Sequence, residues 1–307
     1  MMYPVIRAKN RTKIFTQKEH ILKDGDRLEY LAFPALEEIP WVEQFFSTRL
    51  GGVSKEEFST MNFSFVRGDN PEAVLENYRR VGEVFGKSCD SFVTTDQTHT
   101  TNIRVVGKED AGKGVTISRD YTDIDGLITA EKGLILSCFF ADCVPLYFVD
   151  VKKKVIGLAH SGWRGTVEGM GACMVKRMKE EFGCNPADIV AGIGASICQD
   201  CYEISEEVAD KFRTGIWQEG NIQAYLYEAY NSGKYPRSEY LLPGKESGKW
   251  QLDLWLANYA ILRSVGIPME NISISDVCTC CNADYLFSHR ATGGKRGNLG
   301  AFLMIKG

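Results

Sequence analysis

The sequence predicts an α/β protein. Short apolar runs at 134–139, 144–149 and 155–159 fit buried strands. Segments with helical spacing, at 71–85 and near 167–182, flank them, and such alternation favours strands covered by helices. With no internal repeat and no long low-complexity linker, a single domain over residues 1–307 is the simplest organisation.

Residues 1–35 are charged and poor in long apolar stretches, which fits a small N-terminal extension built as a hairpin or strand pair. Residues 41–49 (WVEQFFSTR) read as a strand, and Gly51-Gly52 then turns the chain. Over 71–85, Pro71 suits a first helical turn, and Val74, Tyr78, Val81 and Phe85 recur at helical spacing. Residues 91–106 are β-rich and broken near His99. After the three central strands, glycines lead into a helix over about 167–182, with Lys176, Arg177 and Lys179 near its end. Residues 188–197 read as a strand. A helix opens at 205–212 on an imperfect capping box, whose third position is Val208. Residues 252–265 are amphipathic, 272–277 form a strand, and 301–305 close the chain. Glycine, proline and serine at 231–248 predict a mobile loop.

Composition narrows the function. With 307 residues, 44% apolar and 25% charged, the chain can bury a large core. A net charge of −4 gives no basic balance for nucleic acid, and Lys152-Lys153-Lys154 fits a solvated turn. The first residues lack the apolar stretch of a signal peptide. The longest apolar run, 133–149, is interrupted by Asp142 and Pro145, so no membrane span is expected. Ten cysteines without an export signal read as free thiols in a reducing cytoplasm.

Only four histidines occur, and two of them, together with one cysteine, stand in segments suited to hold a metal: Gln97-Thr98-His99, Ala141-Asp142-Cys143, and Ala159-His160-Ser161-Gly162-Trp163-Arg164-Gly165. His99, Cys143 and His160 would supply a Cys-His₂ set that leaves a tetrahedral metal one open position. Their separations, 44 and 17 residues, exclude a zinc finger and suit ligands from the ends of neighbouring strands. The competing reading makes each histidine a hydrogen-bonded structural residue and Cys143 a small core hydrophobe.

The segment after His160 points further, to an anion. Its glycines permit close backbone approach, the helix that follows would present free N–H groups, and Arg164 adds charge. Trp163 would stack on a ring or fill the core. Arg49, at the end of a strand, and the basic, glycine-rich stretch from Phe287-Ser288-His289-Arg290 to Lys295-Arg296-Gly297-Asn298 also suit an anionic partner. His289 is better placed as a hydrogen-bond donor to substrate than as a fourth ligand. Cys198/Cys201 and Cys278/Cys281 each have C-x-x-C spacing. The 76 residues between the pairs far exceed zinc-ribbon spacing, so a second metal site is not expected.

Together these segments resemble the YfiH-type family, also called the laccase-domain or polyphenol-oxidase family of purine nucleoside phosphorylases. The resemblance covers about residues 40–306 and runs in order through TRLGGVS, MNFSFVRGDNPEAVLENYRR, QTH, DGLIT, ADCVPLYFVD, AHSGWRGT, GASICQDCYEIS, DLWLAN, and CTCC followed by FSHR. It implies a four-layer α/β/β/α fold with mixed sheets. It also implies zinc on His99, Cys143 and His160, and phosphorolysis of adenosine, inosine, guanosine and methylthioadenosine, with adenosine deamination in some members. By motif position Arg49, Asn62 and Arg290 line the same cleft. Cys143, His160, Arg164, Arg49 and Arg290 are then the expected catalytic groups, and Asn62, Gln97, Trp163 and His289 the expected substrate contacts. Three departures touch substrate preference: GASICQDCYEI replaces the usual GPSIGPCCYEV, Ala291 stands for the second Arg of SYRR, and Arg296-Gly297 looks transposed.

Zinc-dependent phosphorolysis leads the rivals. The usual zinc-deaminase signature, H-x-E with P-C-x-x-C, is absent, so any deamination would need another constellation. Copper is the alternative metal, since Cys-His₂ resembles a blue-copper set, but four histidines are too few for a multicopper laccase. A cysteine hydrolase would use Cys143 as nucleophile, His160 as base and Asp142 as orienting acid. A zinc-stabilised interaction protein would turn over no nucleoside.

Overall fold

Strands that are apolar on both faces need cover on both sides. In the computed structural model, which describes residues 2–9, 13–215 and 222–307, two six-stranded sheets provide most of that cover for each other. The first contains β1 (Thr16–Ile21), β2 (Arg27–Ala32), β3 (Val42–Ser47), β15 (Leu299–Ile305), β7 (Ile135–Phe140) and β4 (Phe92–Thr94), in that spatial order. The second runs β14 (Ile272–Ile274), β10 (Ile189–Ile193), β8 (Val144–Asp150), β9 (Val155–Ser161), β6 (Gly126–Thr129) and β5 (Ile103–Val105). Both sheets are mixed: β4 pairs parallel with β7, and β10 with β14, while β8 and β9 are antiparallel.

Side-chain alternation assigns the layers. Leu136, Cys138 and Phe140 of β7 meet Tyr147 and Val149 of β8 and Ile156 and Leu158 of β9 in an apolar layer between the sheets. Ile135, the neighbour of Leu136, points outward with Phe45 and Phe302 to pack on Val74, Tyr78, Val81 and Phe85 of α2 (Pro71–Phe85). Val144, Leu146 and Phe148 of β8 face the opposite way, onto Met170, Met174 and Met178 of α4 (Met170–Phe182) and Ile261 and Leu262 of α7 (Leu254–Ser264). The layers are helix, sheet, sheet, helix, as the family resemblance implies. A short α1 (Pro34–Glu37), α5 (Glu206–Thr214), α6 (Ile222–Asn231), α8 (His289–Thr292) and a small sheet of β11 (Glu203–Ser205), β13 (Lys249–Leu252) and β12 (Leu241–Pro243) are added to these layers.

Several local expectations change. The helix expected at about 167–182 is α4, which starts at Met170; a separate short helix, α3 (Trp163–Val167), precedes it, and Gly169, at φ 78°, redirects the chain between them. The segment 231–248 is not a free loop, since it holds the end of α6 and all of β12. The β-rich segment 91–106 divides between sheets: β4 joins the first and β5 the second, so the loop carrying His99 crosses from one sheet to the other. Within residues 1–35, of which 1 and 10–12 lie outside the described residues, β1 and β2 form a hairpin that pairs through β2 with β3. Among the described residues no helix is long and apolar enough to cross a membrane.

Candidate metal centre and cleft

Three segments far apart in sequence meet at one end of the sheet sandwich. Cys143 stands in the tight turn from β7 to β8, and His160 near the end of β9, where it faces Pro145 across the ladder. His99 comes from the crossing loop, with φ 67°. One donor atom from each of His99, Cys143 and His160 lies within 4.8 Å of the others, and the two imidazole rings meet edge to face at 4.9 Å. The structure therefore brings the three expected ligands together.

Asp125, just ahead of β6, fixes two of them. Its buried carboxylate stands 2.8 Å from His160 Nδ1 and accepts the backbone N–H groups of Thr98, His99 and Thr100, besides the Thr100 hydroxyl. With Nδ1 engaged, the other ring nitrogen of His160 is left for the cluster, the usual support of a metal-binding histidine. The same hydrogen bonds hold the His99 backbone in its left-handed conformation. Burial opposes ionisation of Asp125, but His160 and the N–H donors outweigh it and keep the group below its ordinary range. The sequence reading missed this residue as functional, although it opens the quoted DGLIT segment.

Burial also opposes ionisation of Cys143, yet the His160 charge and hydrogen bonds from both histidines lower the thiol to about 6. For His160, burial favours the neutral ring, but Cys143 and Asp125 raise it to about 9. Thiolate is the form that binds a metal, so the donor chemistry fits zinc or copper. Gly162 makes the packing possible: a Cβ there would lie 2.9 Å from Cys143 Sγ and 3.1 Å from His99 Cδ2.

The three donors floor a cleft of about 780 Å³. Phe63, Phe65, Tyr121, Phe139 and Phe140 supply ring walls, and Arg67, Arg119 and Arg296 supply positive charge. Arg119 is paired to Asp96 at 2.7 Å. Arg296 is different: its Nε is buried with no hydrogen-bond partner. Burial, followed by the like charge of Arg67, lowers the Arg296 guanidinium to about 10. Arg67 itself is exposed and anchored by donation to the Arg296 and Gly294 carbonyls.

The other expected site residues sit as follows. Gln97 lines the cleft, and its amide is tied to both backbone groups of Phe139. Asn62 is buried and bonded to Ser64, Asp69 and Asn298. Arg49 donates to the Ser59 and Ala283 carbonyls and covers the Phe287 ring. Arg290 donates to the carbonyls of Cys201 and Glu203. Arg164 stacks on Trp163 at 4.3 Å, and Trp163 packs against the helix-side core. His289 starts α8 next to Gly294. None of Asn62, Arg49, Arg290, Arg164, Trp163 or His289 lines the cleft. Asp142, the acid of the cysteine-hydrolase reading, accepts from Thr279 Oγ1 and Arg290 N; Asp125 orients His160 instead.

Residues 43–306 match the family described as multi-copper polyphenol oxidoreductase laccase. The chain belongs to this family. It is 35% identical over 266 residues to the purine nucleoside phosphorylase YlmD of Bacillus subtilis (strain 168), covering 85% of this chain and 87% of the relative. It is 28% identical over 267 residues, 87% of this chain and 94% of the relative, to adenosine deaminase RL5 of an unknown prokaryotic organism. The crystal structure of YlmD from Geobacillus stearothermophilus superposes with a TM-score of 0.79 at 31% identity, covering 96% of this chain and all of that one. Membership confirms the YfiH-type resemblance, and the shared fold confirms the architecture.

Proposed function

We propose that the protein is a zinc-dependent purine nucleoside phosphorylase. One observation carries this reading: a Cys-His₂ donor set floors a cleft whose walls combine aromatic rings with a buried, unpartnered guanidinium nitrogen. Purine and phosphate need those two kinds of wall. The YlmD relative, which carries the phosphorylase name, supports it.

A zinc ion on His99, Cys143 and His160 would supply a Lewis acid with one open position. Around it, Arg296 and Arg67 bind and orient phosphate, and the charge-assisted hydrogen bonds satisfy Arg296 Nε. Phe65, Tyr121 and Phe139 offer ring faces to the purine and exclude water. Asp125 holds the His160 ring and the His99 loop in place. A phosphate oxygen then bonds to the anomeric carbon as the glycosidic bond breaks, its electron pair leaving with the purine, which takes up the proton that the hydrogen phosphate gives up. The products are free base and ribose 1-phosphate.

Copper-dependent polyphenol oxidation is the competing reading that the family description carries. The remaining histidines, His20 and His289, lie outside the donor group, so the described residues offer no histidine-rich second cluster for a multicopper set. His99 as a third donor likewise favours a metal centre over a cysteine hydrolase.

The test is chromatography of adenosine, inosine and methylthioadenosine after incubation with zinc-loaded protein, with and without phosphate. Free base is expected only with phosphate, and none from His160→Ala. Inosine formed from adenosine without phosphate would assign deamination to the same centre. Phenol oxidation by the copper-loaded protein, with every nucleoside intact, would overturn the reading.

A further inference from the structure

We infer that Cys198, Cys201, Cys278 and Cys281 form a second metal site, a closed tetrahedral Cys₄ site for zinc. The four sulfur atoms all lie within 4.8 Å of one another, and Cys201 Sγ is 3.5 Å from Cys281 Sγ. Zinc–thiolate bonds of about 2.3 Å make a tetrahedron with sulfur–sulfur edges of about 3.8 Å, so one ion fits this quartet.

The spacing that argued against such a site is answered by the sheet. β10 and β14 are neighbouring parallel strands, with Ile193 beside Ile274, so the loops that leave their ends run side by side. A further parallel bridge, Ser196 with Cys278, and the Thr279 N–H to the Ser196 carbonyl keep them together. Each loop delivers a C-x-x-C pair, and the first is bent by a 3₁₀ turn at Gln199–Cys201. The backbone N–H groups of Cys198 and Cys281 both point at Cys278 Sγ, at 3.2 and 3.4 Å, which suits a thiolate. All four cysteines are free. A disulfide joins sulfurs two by two at about 2.05 Å, whereas here every sulfur neighbours the other three.

With four protein ligands the site has no open position, which marks it as structural. It fastens the elements behind the cleft: Arg290 donates to the Cys201 and Glu203 carbonyls, and Thr279 Oγ1 donates to Asp142, the residue before Cys143. The site is independent of the nucleoside reading and does not need it to be correct.

The test counts zinc in protein purified under reducing conditions with zinc supplied. Wild type is expected to hold two ions per chain. Cys143→Ser should hold one, the Cys201→Ser/Cys281→Ser double variant one, and Cys280→Ser, outside the quartet, two. Because the double variant is open to misfolding, cobalt is loaded into Cys143→Ser as a second measurement, with the visible bands of a tetrahedral tetrathiolate expected. One zinc per wild-type chain together with none in Cys143→Ser would overturn the proposal. So would iron in place of zinc, or Cys198, Cys201, Cys278 and Cys281 recovered as disulfides from the natively purified protein.

Discussion

Asp125 Oδ1 lies 2.8 Å from His160 Nδ1, and the same carboxylate accepts the N–H of His99. One buried acid thus sets the ring of one donor and the backbone of another, although the two histidines are 61 residues apart in sequence.

Asp125→Asn would place an amide nitrogen among N–H donors, which cannot bond to it. Metal affinity at the Cys-His₂ centre should fall about 10- to 100-fold, the usual cost of losing such a support. Stability should fall by about 1–3 kcal/mol from the donors left unpaired. Chelator competition and urea unfolding measure the two effects. Unchanged metal affinity would show that His160 is not a ligand held by this contact.

Gly162 gives a test with little cost to the fold. Its φ of −73° suits alanine, but the new methyl would press on Cys143 Sγ and the His99 ring. Gly162→Ala should therefore weaken metal binding at least tenfold, about 1.4 kcal/mol, and leave the melting temperature of the metal-free protein nearly unchanged. Full metal affinity in this variant would refute close packing of the two donors.

Arg296 carries the phosphate argument. Removing a charged hydrogen-bond donor costs about 1.5–3 kcal/mol, so Arg296→Gln should raise the KM for phosphate by about ten- to a hundredfold. Metal content should not change, since Arg296 is not among the donors. A phosphate KM equal to that of wild type would move the anion elsewhere.

How legible these features were depended on residue chemistry. His99, Cys143 and His160 could be read because histidine is scarce here and each residue sits in a recognisable segment. The layers followed from apolar runs, since a strand covered on both faces shows no polar alternation. Asp125 was hidden by its commonness: an aspartate before glycine reads as a turn, and its role appears only once 98–100 folds over it. Arg67 lies within the quoted 61–80 segment with nothing there to mark it as a site residue, Arg119 lies outside every quoted segment, and the two reach the cleft from separate loops. The two C-x-x-C pairs look too far apart in sequence to meet because sequence spacing measures loop length along the chain. The adjacency of β10 and β14 is set by sheet order, which no local pattern reports.

Asp110 provides a prediction about stability and pH. Its side chain is 1% exposed and bonds to Lys113 Nζ at 2.9 Å, Arg104 at 3.0 Å and the Gly107 N–H at 3.0 Å. Burial works against ionisation, but these partners outweigh it and hold the carboxyl below its ordinary value of 3.8. A carboxylate depressed in the folded state stabilises above its unfolded pKa, and that contribution is lost as pH falls through the folded one. Wild type should therefore lose melting temperature as pH drops below about 4, where unfolded carboxylates take up protons. Asp110→Asn should lose about 1–3 kcal/mol at neutral pH, and the gap between variant and wild type should narrow in acid. Thermal melts of both proteins from neutral pH down to the acid limit test this, and a gap independent of pH would show that the network is held by shape rather than by the charge of Asp110.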